Sequence, residues 1–242
     1  MDSETVVVDV ISDIMCPWCF IGMKRLDEAR AIAQVPVTVR WRPFQLDPTL
    51  PREGKDRARY LTDKFGGEPR VEAILERISE AGHAAGIDFA FDRIKLSPNT
   101  LDCHRLIRWA FHDDAQEKLV SALFHAYFTE GADLTDHATL AAIAGDCGMD
   151  ASLVAHLLAT DTDVAATKAE IAAAQQIGVT GVPCFIVNGK YAVMGAQRSQ
   201  DLADIIAKAA DEAKAEAEAE AQTLAQAQAQ AQAQIPQPSV AL

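Results

Sequence analysis

TVVVDVI (Thr5 to Ile11), SDIM (Ser12 to Met15), CPWC (Cys16 to Cys19) and FIGMKRLDEARAIA (Phe20 to Ala33) follow one another without a gap, and their reading decides the fold. The Val/Ile run is nearly continuous in hydrophobicity, as a strand buried on both faces is. Phe20, Met23, Leu26 and Ile32 then recur at helical spacing with charges between them, so a helix begins at the two cysteines. Cys16 falls where the N-cap belongs. Pro17 takes the first helical position, where a missing N–H is no loss and a fixed φ suits helix initiation. Cys19 lies one turn further on, within disulfide reach of Cys16.

That placement carries chemistry. A thiol attacks as its thiolate, and the free N–H groups and positive dipole end of a helix stabilise that form. The spacing predicts an exposed attacking sulfur at Cys16 and a more buried resolving one at Cys19. Cys16 opens a substrate disulfide, and Cys19 then attacks the mixed disulfide and releases the product. Zinc ribbons also contain C-x-x-C, but a pair directly after a strand and at the head of a helix favours redox chemistry. No second C-x-x-C completes a four-cysteine zinc site, and no metal is assigned.

Working outward, PVTVRWRPFQL (Pro36 to Leu46) alternates apolar and polar residues as a second strand does, until Pro43 interrupts it. A right-handed crossover makes the two strands parallel. From Lys55 to Ile177 no strand is expected. Helices are predicted at Lys55 to Phe65, Val71 to Ala85, Thr100 to His112, Asp114 to Thr129, Asp136 to Cys147, Ala151 to Thr160 and Thr162 to Ile177. The apolar runs Cys184 to Val187 and Tyr191 to Met194 flank Asn188-Gly189, a strong hairpin signal, and a closing helix follows from Ser199 to about Ala210. The expected class is α/β: residues 1–50 and 178–210 form a discontinuous thioredoxin-fold domain, 51–177 an inserted all-helical domain, and 211–242 a low-complexity Ala/Glu/Gln tail. That tail has almost no large apolar side chains and reads as a frayed helix or solvated segment.

The 242 residues are 49% hydrophobic and 24% charged, an ordinary globular make-up. A net charge of -13, from 35 acidic against 22 basic residues, repels phosphate backbones and anionic membranes, so neither nucleic acid nor membrane is expected as a partner. The opening Met-Asp-Ser-Glu and the aspartates within the first apolar run argue against a secretory signal, and a cytoplasmic location is expected. Five scattered cysteines do not make a disulfide scaffold.

DIMCPWCFIG (Asp13 to Gly22), RPFQL (Arg42 to Leu46), SPNTLDCHRL (Ser97 to Leu106), LFHAYF (Leu123 to Phe128) and GVTGVP (Gly178 to Pro183) together resemble the DsbA-like branch of the thioredoxin superfamily. Within it the chain is similar to FrnE-type proteins, relatives of 2-hydroxychromene-2-carboxylate isomerase and kappa-class glutathione transferase. The resemblance spans about Val6 to Ala210. It implies a thioredoxin fold with a helical insertion, and a cis Pro183 packed against the cysteine pair. It also implies that the Val182 backbone pairs with an extended substrate peptide or with glutathione. Phe44, Asn99 and His104 match positions facing the cleft and are carried over as substrate-pocket candidates. The isomerase relatives hold serine where Cys16 stands, so retention of both cysteines points to disulfide exchange.

The resulting expectation is a protein disulfide oxidoreductase acting on protein or small-molecule thiols and disulfides, with no tightly bound cofactor and glutathione as a candidate co-substrate. Its direction, as oxidant, reductant or isomerase, is left open. Pro17, Trp18, Val182 and Pro183 join the cysteines as candidate substrate contacts. Two alternatives stand beside it. One is a glutathione-dependent isomerase or transferase acting on an aromatic small molecule, and the other a non-catalytic, chaperone-like protein using the cleft and the tail. Cys103, Cys147 and Cys184 lie far apart in sequence; Cys103 and Cys184 are expected to be small buried hydrophobes. Asp13 is expected in a turn or cap, with proton exchange at Cys19 as its other reading. His104 and His125 are weighed as bases and read as ordinary surface or core groups.

Overall fold

The computed structural model describes residues 5–111 and 115–233. Strand β1 (Val6–Ser12) lies inside a four-stranded sheet of order β2-β1-β5-β6. Helix α1 (Pro17–Ala33) connects it to β2 (Val37–Pro43), which runs parallel in a register from Val6 with Val37 to Ser12 with Pro43. The strand, helix, strand unit read from the sequence is therefore present. The apolar continuity of β1 follows from its enclosure, with Val6, Val8, Val10, Ile11 and Ser12 all buried.

Between β2 and β5 the chain is mainly helical: α2 (Arg57–Phe65), α3 (Glu68–His83), α4 (Leu101–Ala110), α5 (Gln116–His125), α6 (His137–Asp146), α7 (Ala151–Leu158) and α8 (Val164–Gln176). The predicted helix ends at His112 and Asp114 lie outside the described residues. Helix α3 starts three residues before the expected Val71, because Gly67 ends the preceding turn and Pro69 suits a first helical turn. Against expectation, β3 (Lys55–Asp56) and β4 (Leu96–Ser97) pair antiparallel within this segment. Two residues each are too few for an alternating pattern to register. The helix expected to run to Thr129 instead passes after His125 into one turn of π-helix, Ala126–Glu130, closed by Gly131 at φ 75°.

The helical segment is built onto the sheet rather than beside it: one apolar cluster joins Val8, Val10, Phe20 and Trp41 to Leu106, Leu119, Phe124 and Phe128. Phe20 stacks on Phe124 at 5.3 Å between ring centres. The edge strand β2 is sealed by the buried Gln116, whose side-chain oxygen accepts the Trp41 N–H at 2.8 Å while its amide donates to the Ile107 carbonyl.

Strand β5 (Cys184–Val187) pairs antiparallel with β1, and β6 (Tyr191–Met194) returns along β5. Asn188 and Gly189, at φ 49° and 67°, supply the left-handed backbone that the hairpin requires. Helix α9 (Ser199–Ala233) packs Leu202, Ala203 and Ile206 in the core along α1. It does not stop near Ala210 as expected. Nothing in the Ala/Glu/Gln tract breaks a helix, and the Tyr191 hydroxyl donates to Glu212 at 2.6 Å while Lys190 pairs with Glu216, tying two more turns to β6. From Glu218 to Gln228 every side chain is exposed, and the last predicted tail residues from Gln234 lie outside the described ones. Among the described residues no helix is long and apolar enough to cross a membrane.

Candidate active site

The carboxyl end of β1 delivers the chain through a short turn to the head of α1. There Cys16 is the N-cap, in an extended conformation, with Pro17 next. The Cys16 N–H donates to the Asp13 carbonyl and the Cys19 N–H to the Cys16 carbonyl, each at 3.0 Å. Cys16 is 5% exposed and Cys19 1%. The order of exposure is the expected one, but Cys16 is covered instead of open. Its cover is the segment before β5: the Cys16 thiol points at the Val182 carbonyl, 3.8 Å away.

The Val182–Pro183 bond is cis. The proline ring lies against α1 so closely that a Cβ added at Gly22 would sit 2.9 Å from Pro183 Cγ and 3.1 Å from Phe185 Cζ. Gly22 therefore sets how near α1, and with it the cysteine pair, can approach this loop. Pro17 is half-buried and Trp18 is 37% exposed, so the indole forms the open rim beside Cys16.

Burial, and then the neighbouring Cys16 sulfur, push the Cys19 thiol well above its ordinary value, so Cys19 is protonated at neutral pH. Opposing them are two donors that favour a charged sulfur, the Asp13 main-chain N–H and the Ser12 hydroxyl. The fully buried Asp13 carboxylate accepts the Leu46 N–H at 2.7 Å and the Met15 N–H at 3.5 Å, fastening the loop after β2 to the turn before Cys16. That is the turn-holding role expected of it. His104 Nε2, from α4, lies 3.4 Å from the same carboxylate without an aligned hydrogen bond.

The three residues carried over as cleft candidates fall in different settings. His104 is buried behind Asp13 and presents almost no surface, and His125 stands exposed against the Phe20 ring. Phe44 is buried with Ile11, Ala174, Val179 and Cys184, with Val182 packed on them, and so props the cis-proline segment from behind. Asn99 donates to the Leu50 carbonyl and accepts from Gln45 and the Leu101 N–H. It lines an open cavity of about 680 Å³ with Gln45, Arg52 and Lys168. Cys103 and Cys184 are buried, as small hydrophobes are, as is Cys147, and burial raises all three thiols. Among the described residues no group of three or more His, Cys, Asp or Glu is placed to hold a metal ion. Sequence reading passed over Ser12, and over Gly22, whose role depends on contact with the distant Pro183 segment.

Residues 7–207 match the family model of the DSBA-like thioredoxin domain. The chain belongs to that family. A curated relative, the uncharacterized protein YwbO of Bacillus subtilis (strain 168), is 26% identical over 212 residues, covering 87% of this chain and 98% of YwbO. Among solved structures, a probable DsbA oxidoreductase from Streptomyces coelicolor superposes with a TM-score of 0.77 at 29% identity, over 84% of this chain and 89% of that one. A 2-hydroxychromene-2-carboxylate isomerase shares the fold with a TM-score of 0.63 at 17% identity, over 84% of this chain and 95% of its own. The DsbA-like fold with a helical insert, expected from the resemblance, is the fold present.

Proposed function

We propose that this DsbA-like protein is a thiol–disulfide oxidoreductase in which Cys16 attacks and Cys19 resolves. The observation that carries it is the arrangement of the two sulfurs: one at the head of α1 under the Val182 carbonyl, the other one turn on, buried and held protonated.

In the reductive direction, the Cys16 thiolate attacks one sulfur of the substrate disulfide; a Cys16–substrate S–S bond forms, the substrate S–S bond breaks, and the departing thiolate takes the proton that Cys16 gave up. Cys19 then loses its proton and attacks Cys16 Sγ. The Cys16–Cys19 disulfide forms, the mixed disulfide breaks, and the second substrate sulfur leaves with the Cys19 proton. Two electrons pass from the dithiol to the substrate, and the oxidative direction is the reverse. Protonation of Cys19 at rest keeps it from competing with Cys16 for the substrate.

An extended peptide, or glutathione as a small co-substrate, pairs with the Val182 main chain beside Pro183, displacing the Cys16 thiol from the Val182 carbonyl, with Pro17 and Trp18 at the rim. Asn99 and its cavity accept the more distant part of the substrate, while Phe44 and His104 act through packing. The scattered cysteines suit a reducing compartment, and we place the protein in the cytoplasm.

Insulin reduction followed by turbidity, with thiol titration of oxidised and reduced protein, tests this. Wild type turns over and loses two titratable thiols on oxidation, and Cys16→Ser falls to background. Saturable glutathione binding without exchange in wild type would replace this reading with the isomerase one.

A further inference from the structure

Ser12 closes β1 directly beneath the cysteine turn. It is 4% exposed, and its hydroxyl has no aligned hydrogen-bond partner in the resting dithiol. An unmatched buried hydroxyl carries a desolvation penalty that a core position would avoid with alanine. Four other side chains share this condition, Trp41, Ser97, His104 and Thr167, but Ser12 differs in what it faces: it and the Asp13 N–H are the two donors toward a charge on Cys19. Resting on the exchange reaction above, we propose that the Ser12 hydroxyl is a catalytic donor, held unpaired in the dithiol so that it can bond the Cys19 thiolate as that sulfur attacks the mixed disulfide.

The chemistry requires such a donor. Cys19 is enclosed, so water cannot solvate the charge that resolution creates on it, and a donor already in place needs no reorganisation at that moment. The main-chain N–H of Asp13 is fixed by the backbone, whereas the Ser12 hydroxyl can rotate toward the sulfur when charge appears. The titratable groups facing this point are Cys16, on the same helix, and Asp13, whose carboxylate is turned to Leu46 and to His104 of α4. Neither carboxylate nor imidazole replaces the hydroxyl as a direct donor to the sulfur.

Ser12→Ala and Ser12→Thr, each in the full chain, test the proposal. In single turnover with a chromogenic aromatic disulfide, the first equivalent of coloured thiol reports attack by Cys16 and the second reports resolution by Cys19. In Ser12→Ala the first phase is unchanged. The second slows about threefold at neutral pH, a tenfold smaller thiolate fraction being partly offset by the higher nucleophilicity of a less acidic thiol. Ser12→Thr restores it. The melting temperature of Ser12→Ala stays level or rises, which a structural hydroxyl would not allow.

A second measurement is independent of exchange. In a Cys16→Ser background, removing the hydroxyl moves the Cys19 step in the ultraviolet thiolate titration upward by about one pH unit, a tenfold change in the ionisation constant. If wild type fails to exchange disulfides, the functional reading falls while this titration still decides the role of Ser12. If wild type exchanges and both the second phase and the titration are indifferent to the hydroxyl, or if both phases slow together, the Ser12 assignment is overturned and the exchange reading stands.

Discussion

Arg105 and Ser12 are both almost wholly enclosed, yet their polar atoms are treated in opposite ways. The guanidinium of Arg105, on α4, has five N–H donors. They meet the carbonyls of Leu157, Leu158, Thr160 and Thr162 and the carboxylate of Asp102. It thereby fixes the end of α7 and the turn into α8, and its plane lies over Trp109. Beneath the cysteines, by contrast, Ser12, beside a thiol kept from ionising, and His104, behind Asp13, carry polar atoms with no aligned partner. A region whose buried polar groups are all matched is a frame with one arrangement. A region that leaves some unmatched accommodates a charge that comes and goes.

The largest effect that sharpens this contrast is Cys16→Ser, which removes exchange entirely while leaving the melting temperature within a few degrees. Arg105→Leu does the reverse. It removes the donors that Arg105 gives to four carbonyls and to Asp102, of which the Leu157 carbonyl keeps the Thr160 N–H and hydroxyl and Asp102 keeps His137. Breaking a buried ion of this kind costs about 3–5 kcal/mol. Denaturant unfolding should show that loss, with turnover per folded molecule unchanged. If Arg105→Leu were as stable as wild type but slow in exchange, the division between frame and site would be wrong.

Gly22→Ala probes the boundary between them. The added methyl meets the Pro183 ring and Phe185, both packed against the helix, and overpacking of that kind costs about 1–3 kcal/mol. Relief comes from moving the Val182–Pro183 segment off α1, so insulin reduction should fall by more than the unfolded fraction explains. An unchanged turnover number would mean that the distance between this loop and the cysteines is not functional.

The same contrast explains what could be read in the sequence. The strand, helix and cysteine pair of residues 6–33 declared themselves because each signal is local: apolar continuity, helical period, and proline at the first helical position. The Asn188-Gly189 hairpin was legible for the same reason. Gln116 sealing the edge of β2, Arg105 capping α7, and Gly22 admitting Pro183 were not, because each depends on a partner at least nine residues away and in most cases more than fifty. Cys16 was expected to be open, and its cover is a segment 166 residues distant, invisible to any pattern around the motif. The resemblance named Phe44 and His104 as cleft residues by position alone; their side chains turn into the core, where they hold the cleft's walls.

The smallest predicted effect concerns α9, where the frame runs out. Truncation after Ala217 removes only turns whose side chains are exposed, together with the residues beyond them, and should change neither melting temperature nor insulin reduction. Truncation after Ala210 also removes Glu212, which accepts the Tyr191 hydroxyl of β6, and a bond from a half-buried hydroxyl to a carboxylate is worth about 1–2 kcal/mol. The shorter chain should therefore melt a few degrees lower with its exchange rate intact. The two cuts separate a structural from a functional tail more cleanly than either alone. If the longer truncate already loses exchange, the solvated turns of α9 take part in substrate capture, and the chaperone-like reading of this arm gains the support that its lack of an apolar stripe denies it.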